Sequence, residues 1–250
     1  MRKYYEPWKY FAEKLLWIEP PSCPSKQELM LIESYLDAIS KKNRKPEVLM
    51  LGCTFNYRKL LAKKGIPADM ADLSREMFKI NTGPVKNMKR NEKFIHKNWI
   101  TMDLGKKYDL ILGDFVISNI PQKYKKKFYN NIKKHMKEDG LFITRVYWQR
   151  QKLLNKEQIY RKYKNKKITR KRMMELWWDA IFNLGVDMKK RTVDNSIGWK
   201  EIKDYGRHNH MRKWIDTYKK KIPTEPKEWS VLRKDEQDKE IRENFRVIKM

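Results

Sequence analysis

Apolar positions along the chain follow two different periods. Between Glu47 and Gly52 the run Val-Leu-Met-Leu has no polar member, which predicts a strand buried on both faces, as in a parallel sheet. Further strands are predicted at Ala68 to Ala71, Lys93 to His96, Tyr108 to Val116 and Leu141 to Trp148. Between them the spacing lengthens to three and four residues. Leu29, Ile32, Leu36 and Ile39 share one helical face, and Ser25 with Glu28 forms a capping box at its start. A helix follows Gly52, with Asn56 as its expected cap and Gly65 as its end. Ser74 with Met77 opens another. Gln122 to Lys137 reads as a basic helix with Phe128, Ile132 and Met136 on its inner face, ended by Glu138-Asp139-Gly140.

Strands alternating with helices predict a Rossmann-like α/β fold, a doubly wound and mostly parallel sheet. Ahead of it, an apolar pattern near residues 7–17 and the helix after Ser25 predict an N-terminal helical cover. Beyond Arg150 the alternation fades. Met173, Leu176, Trp177, Ala180, Ile181 and Leu184 mark a helix from Thr169 to Gly185, and 208–221 a second one. Phe245 to Met250 reads as a last strand. The expected organisation is one domain: helices over 1–45, a core over 46–150, a helical lobe over 151–222, and a final helix and strand over 223–250.

Composition adds three constraints. At 250 residues and 40% hydrophobic the chain can bury a large core. No stretch is long and apolar enough for a membrane helix, and the N-terminus lacks an apolar signal core, so a cytoplasmic setting is expected. Cys23 and Cys53 fit neither a disulfide framework nor a zinc spacing. The net charge of +28 attracts polyanions. It is equally compatible with a Lys-, Asn- and Ile-rich codon bias. Tyr160 to Arg172 interleaves cations with aromatics, a pattern that suits RNA or a solvated helix face.

Candidate chemistry centres on Pro46 to Ser74. A doubly wound sheet binds its ligand at the C-terminal ends of the first strands. Gly52 lets a ligand approach the backbone, the next helix offers free N–H groups, and Asp72 ends the second strand where a carboxylate can accept from vicinal ribose hydroxyls. This opening is compatible with NAD as well as with S-adenosylmethionine (SAM).

The order VLMLG, ADMADLSREMF, FIHKNWITMDL, YDLILGDFVISNIP and GLFITRV, over Val48 to Val146, resembles the class I SAM-dependent methyltransferases. Leu51, Gly52, Thr54, Arg58 and Leu60 also resemble a subset whose first turn reads Leu-Gly-x-Thr-Pro-Glu-x-Arg, from which Phe55 and Asn56 depart. The resemblance implies SAM as cofactor. It implies that Gly52, Cys53 and Thr54 pass under the methionine part, that Asp72 holds ribose, and that Leu73 packs on adenine. Asn98 and Trp99 match an acidic-aromatic pair beside adenine, with Asn for Asp. Asp114 matches the polar position near the methyl group. The implied function is methyl transfer to an unidentified acceptor, a small molecule ahead of RNA. The alternative is a non-catalytic methyltransferase fold that binds nucleic acid.

Other features have plainer readings. Ser118-Asn119-Ile120-Pro121 reads as a helix start rather than an amine-binding motif, and His208 with His210 as polar positions rather than metal ligands. Trp177 is read as core, while Trp178 is open to a substrate-pocket role. Arg145, inside an apolar strand, needs a partner, either Asp114 or an anionic substrate.

Overall fold

The computed structural model describes residues 14, 18–167, 169–203, 209–218 and 227–248. The pattern near residues 7–17 and His208 lie outside them. The chain divides into two compact units, 1–16 with 23–146, and 17–22 with 147–250.

The first unit is a five-stranded parallel sheet in the order β3-β2-β1-β4-β5. Its strands are β1 (Val48–Leu51), β2 (Ala68–Asp72), β3 (Glu92–His96), β4 (Tyr108–Asp114) and β5 (Met136–Arg145). All four residues of β1 are buried, as an unbroken apolar run at the centre of a parallel sheet requires. Helix α1 (Lys26–Lys42) begins at the predicted capping box: Glu28 N–H donates to Ser25 Oγ and Ser25 N–H to Glu28 Oε2. Its Ile32 and Leu36 pack with Val48, Met50, Met70, Leu110 and Leu112 on one sheet face, together with Tyr57, Leu60 and Leu61 of α2 (Phe55–Lys63). On that face Phe78 of α3 (Arg75–Thr82) stacks on Phe94, 4.6 Å between ring centres. The opposite face is covered by α4 (Lys125–His135), whose Phe128 meets Phe142 edge-on. Helices therefore lie on both faces, as the alternation predicts.

Arg58 locks this half together from a fully buried position. Its guanidinium forks onto Glu92 at 3.0 and 2.9 Å, donates to Thr82 Oγ1, and stacks over Phe78. The arginine shared with the Leu-Gly-x-Thr-Pro-Glu-x-Arg pattern is thus a tie between α2, α3 and β3.

Three local expectations are corrected. Thr54, not Asn56, is the N-cap of α2, because the helix starts one residue after it. Glu138-Asp139-Gly140 does not end α4; the helix stops at His135 and these residues lie within β5. There the pairing slips between Tyr108 and Leu110, and a Cβ on Gly140 would lie 2.9 Å from Tyr108 O, so glycine permits the irregularity. Phe245 to Met250 is not a final strand over its described part: α9 (Lys234–Asn244) reaches Asn244, and residues 245–248 pair with no strand.

The second unit packs β6 (Trp148–Gln149), α5 (Lys156–Tyr163), α6 (Arg170–Leu184), β7 (Val186–Asp187), β8 (Thr192–Asp194), α7 (Asn195–Lys203), α8 (Asn209–Tyr218), β9 (Glu228–Ser230), β10 (Leu232–Arg233) and α9. The predicted helix with Thr169 as cap and Gly185 as end is α6, and its Met173, Leu176, Trp177, Ala180 and Ile181 form the core. The unit is not purely helical. Strands β7, β8 and β9 form an antiparallel sheet, and β6 pairs with β10. Asp179 anchors this unit from a buried position, accepting from Arg150, Lys162 and Tyr163 Oη at 3.0, 2.6 and 2.7 Å.

Candidate active site

The sheet order reverses between β1 and β4, and the C-terminal ends of these strands, with those of β2 and β5, carry the candidate residues. Chain direction after β1 is set by Gly52, whose φ of +90° lies where L side chains are strained. Its N–H donates to Ala71 O, which continues the β1–β2 ladder by one bond. A Cβ built on Gly52 would sit 3.7 Å from both Asp72 Oδ2 and Trp99 Cζ2. Gly52, Asp72 and Trp99 are therefore one cluster, although 46 residues of sequence lie between the first and the last.

Asp72 has one oxygen committed and one facing the turn. Oδ1 accepts the Ser74 N–H at 2.8 Å, which orients the carboxylate. Oδ2 has the buried Cys53 thiol 3.9 Å away, longer than a strong hydrogen bond, so it retains acceptor capacity. Burial pushes the Asp72 carboxyl up to about 6, against the opposing backbone donors of Ser74 and Leu73. Burial and the neighbouring Asp72 charge push the Cys53 thiol well above its usual range, so this cysteine is held protonated and unreactive.

Trp99 is positioned by both ends of its residue. Its indole N–H donates to Ala71 O at 2.6 Å, and its carbonyl accepts from Asn131 of α4 at 2.8 Å. The aromatic member of the predicted pair thus stands against the glycine turn. Asn98 uses its side-chain oxygen to accept Ile100 N–H at 2.9 Å, closing an Asx turn. That bond makes Asn98 a shaper of the loop, a role that Asp also fills. Leu73 is half-buried between Asp72 and Ser74, with its carbonyl 2.9 Å from His96 Nε2.

The end of β4 has a different character. Asp114 is cross-strand partner of Arg145, whose Nε donates to Asp114 Oδ1 at 2.7 Å. Arg145 Nη1 also donates to Cys23 O at 2.9 Å and lies 3.7 Å from Glu28. Of the two partners open for Arg145, the structure supplies Asp114. Burial raises the Asp114 carboxyl above the ordinary carboxylate range, while Arg145 and the Thr54 hydroxyl favour its ionised form. Thr54 makes no side-chain cap on α2. An aspartate bound by a guanidinium is a fixed strut and a poor general base.

Sequence reasoning missed Phe115 and the second role of Glu28. Phe115 has φ of +53° and carries the Arg145 guanidinium 4.1 Å over its ring. A non-glycine residue in that region is strained and marks a constrained turn, but nothing in a phenylalanine announces it. Asn119 turns its amide back to Phe115 O, and short helical turns at 117–119 and 122–124 lead into α4, which agrees with the helix-start reading of that segment.

Elsewhere, Trp178 packs on Phe182 and Tyr147 and donates to Ser22 Oγ, so it belongs to the second unit's core. Five cations of the Lys152 to Arg172 run pair with acids inside the same unit: Lys156 with Glu201, Arg161 with Glu157, Lys162 with Asp179, Arg170 with Glu19 and Arg172 with Glu175. Among the described residues no group of three or more His, Cys, Asp or Glu is arranged to hold a metal ion, and no helix is long and apolar enough to cross a membrane.

No protein-family model matches the chain, and no curated protein matches it. Solved structures do. A SAM-dependent methyltransferase from Clostridium acetobutylicum is 19% identical, over 58% of this chain and 58% of that one, with a TM-score of 0.42. The protein PH0226 from Pyrococcus horikoshii is 16% identical over 94% of this chain and 85% of its own, with a TM-score of 0.49. A Rhodobacter sphaeroides protein named as a Zn-dependent alcohol dehydrogenase is 12% identical over 94% and 83%, with a TM-score of 0.53. The chain spans less than two thirds of the Clostridium protein's length. At these identities the likeness concerns the fold, which is Rossmann-like.

Proposed function

We propose that the protein is a SAM-dependent methyltransferase. The observation that carries the reading is the Gly52–Asp72–Trp99 cluster at the switch point of the sheet: a left-handed glycine, a carboxylate with one oxygen uncommitted, and an aromatic wall within 3.7 Å of the glycine's Cβ position. These residues fit the cofactor. Asp72 would accept from the ribose hydroxyls, Leu73 and the Trp99 loop would flank adenine, and the Gly52–Thr54 backbone would run beneath the methionine part. The first N–H groups of α2, left without a side-chain cap, suit its carboxylate. Bound SAM supplies an activated methyl on a sulfonium, so the chain's own task is positioning for in-line attack. Arg145 and Asp114 hold the β4 and β5 ends and Phe115 in one arrangement, and the glycine turn keeps the approach open.

A thermal-shift series tests the reading. SAM and its demethylated product are expected to raise Tm in proportion to the logarithm of their concentration, as ligands of the folded state do. A rise with NADH or NADPH and none with SAM would assign the same cluster to a nicotinamide cofactor and overturn the proposal.

A further inference from the structure

We infer that the exposed face of α4 is a docking surface for the phosphodiester backbone of double-helical nucleic acid. The segment Gln122 to Lys137, QKYKKKFYNNIKKHMK, contains no Asp or Glu. Its buried side is formed by Phe128, Tyr129 and Ile132 against the sheet. The opposite side presents Lys126, Lys127, Asn130, Lys133 and Lys134, all exposed, with Lys123 exposed in the turn just before. At 100° per residue the helical members fall within an arc of about 120°, and Lys126 to Lys134 span about 12 Å.

What sets this face apart is that its cations stand together in a segment without an acid. Elsewhere in the first unit Lys42 meets Asp139, Lys64 meets Glu33 and Asp37, and Lys106 meets Glu47 and Asp69, while lysines without an ion pair among the described residues, such as Lys59, Lys79 and Lys93, are scattered over α2, α3 and β3. On the α4 face Lys134 pairs with Asp103, while Lys123, which lies over the Tyr124 ring, and Lys126, Lys127 and Lys133 form no ion pair among the described residues. A codon bias that scatters lysine over the surface does not by itself place three unpaired cations on one helix face and a fourth in the turn before it. In the basic run at Lys152 to Arg172, by comparison, five of ten cations pair with acids of their own unit.

The chemistry of the face selects the partner. Protein interfaces are depleted in lysine and centre on aromatic or arginine anchors, and none stands on this stripe. Membrane-surface helices need an exposed apolar side, and the apolar residues of α4 are spent on the sheet. Single strands are held by stacking on exposed aromatics, which the stripe lacks. A rigid row of point charges suits the regular phosphates of a duplex, which carries about one negative charge per 1.7 Å of axis. The inference is independent of methyl transfer, and its test needs no cofactor.

The test is fluorescence anisotropy of the full chain with a labelled 20-base-pair RNA duplex and its DNA counterpart from 50 to 200 mM salt. With about four phosphates neutralised, log K should fall against log salt with a slope of roughly −3.6, a loss on the order of 10²-fold over that range. Replacing Lys123, Lys126, Lys127 and Lys133 by Gln, which keeps helix propensity, should flatten the slope to near zero. The same four positions as Arg should retain it, and Lys164, Lys166 and Lys167 to Gln should leave it unchanged. Wild-type binding that is absent or insensitive to salt, an unchanged slope in the Gln variant, or a flattened slope in the Lys164 set would overturn the inference.

Discussion

Replacing Asp72 by Asn should make the unliganded protein more stable and the cofactor complex weaker. The carboxyl titrates near 6 in the folded chain against 3.8 for an unperturbed Asp, chiefly because it is buried. A raised pKa on an acid means that the folded state holds the proton between about pH 4 and 6 while the unfolded state has released it. Stability from this group therefore falls as pH rises through that window, and the full penalty is present above pH 6. Two units at 1.36 kcal/mol each amount to about 3 kcal/mol. Asn retains an oxygen to accept the Ser74 N–H, so most of that gain should survive. For a chain of this size the expected rise in Tm at pH 8 is roughly 5–10 °C, shrinking toward zero at pH 4, where both side chains are neutral. SAM affinity moves the other way. Losing one charge-assisted bond to ribose costs about 2 kcal/mol, roughly 30-fold in Kd. The assay is differential scanning calorimetry at pH 8 and 4, with and without SAM. A lower Tm for the variant at pH 8, or an equal shift at both pH values, would refute the reasoning.

Gly52→Ala should lower stability by about 1–2 kcal/mol through its positive φ alone, since the nearest atoms leave room for the methyl; denaturant titration reads the loss. Arg58→Met should cost about 1–3 kcal/mol in the same titration by removing the fork onto half-buried Glu92, which keeps Arg90, and Arg58→Lys should not restore it, because an ammonium cannot make the bidentate contact. Asp114→Asn should destabilise the fold by strand-end loosening around Arg145 while leaving the pH profile of any methyl transfer unchanged; loss of the acidic limb of that profile would make Asp114 a base after all. Wild-type SAM affinity should weaken as pH falls below about 6, as Asp72 takes up its proton.

Legibility in the sequence followed the strength of the local signal. Val48 to Leu51 and the Ser25–Glu28 box are short, unambiguous patterns, and both stand as read. Gly52 and Asp72 were legible because backbone freedom and a strand-end carboxylate leave a mark on residue type. The resemblance implies Trp99 as a partner of adenine, but its place against Gly52 depends on a bond to Ala71 O that no spacing reveals. The Asn155–Gln158 capping box of α5 is written in the residues but stands within a charge run that masks it. Strands β6 to β10 have two or three residues each, too short for any period to show. The Glu138–Gly140 segment misled because a glycine after charged residues is the usual signature of a helix end, while here it relieves a slip in strand pairing. Arg145 announced that it needed a partner but not which one; only the β4–β5 register brings Asp114 opposite it.

The central claim, that the Gly52–Asp72–Trp99 cluster holds SAM, is tested most directly by isothermal titration calorimetry of SAM into wild-type and Asp72→Ala protein at pH 8. The account predicts saturable one-site binding to the wild type and a loss of at least tenfold in the variant, with the variant still folded by circular dichroism. Equal affinity in the two proteins, or no binding of SAM to the folded wild type, would contradict it.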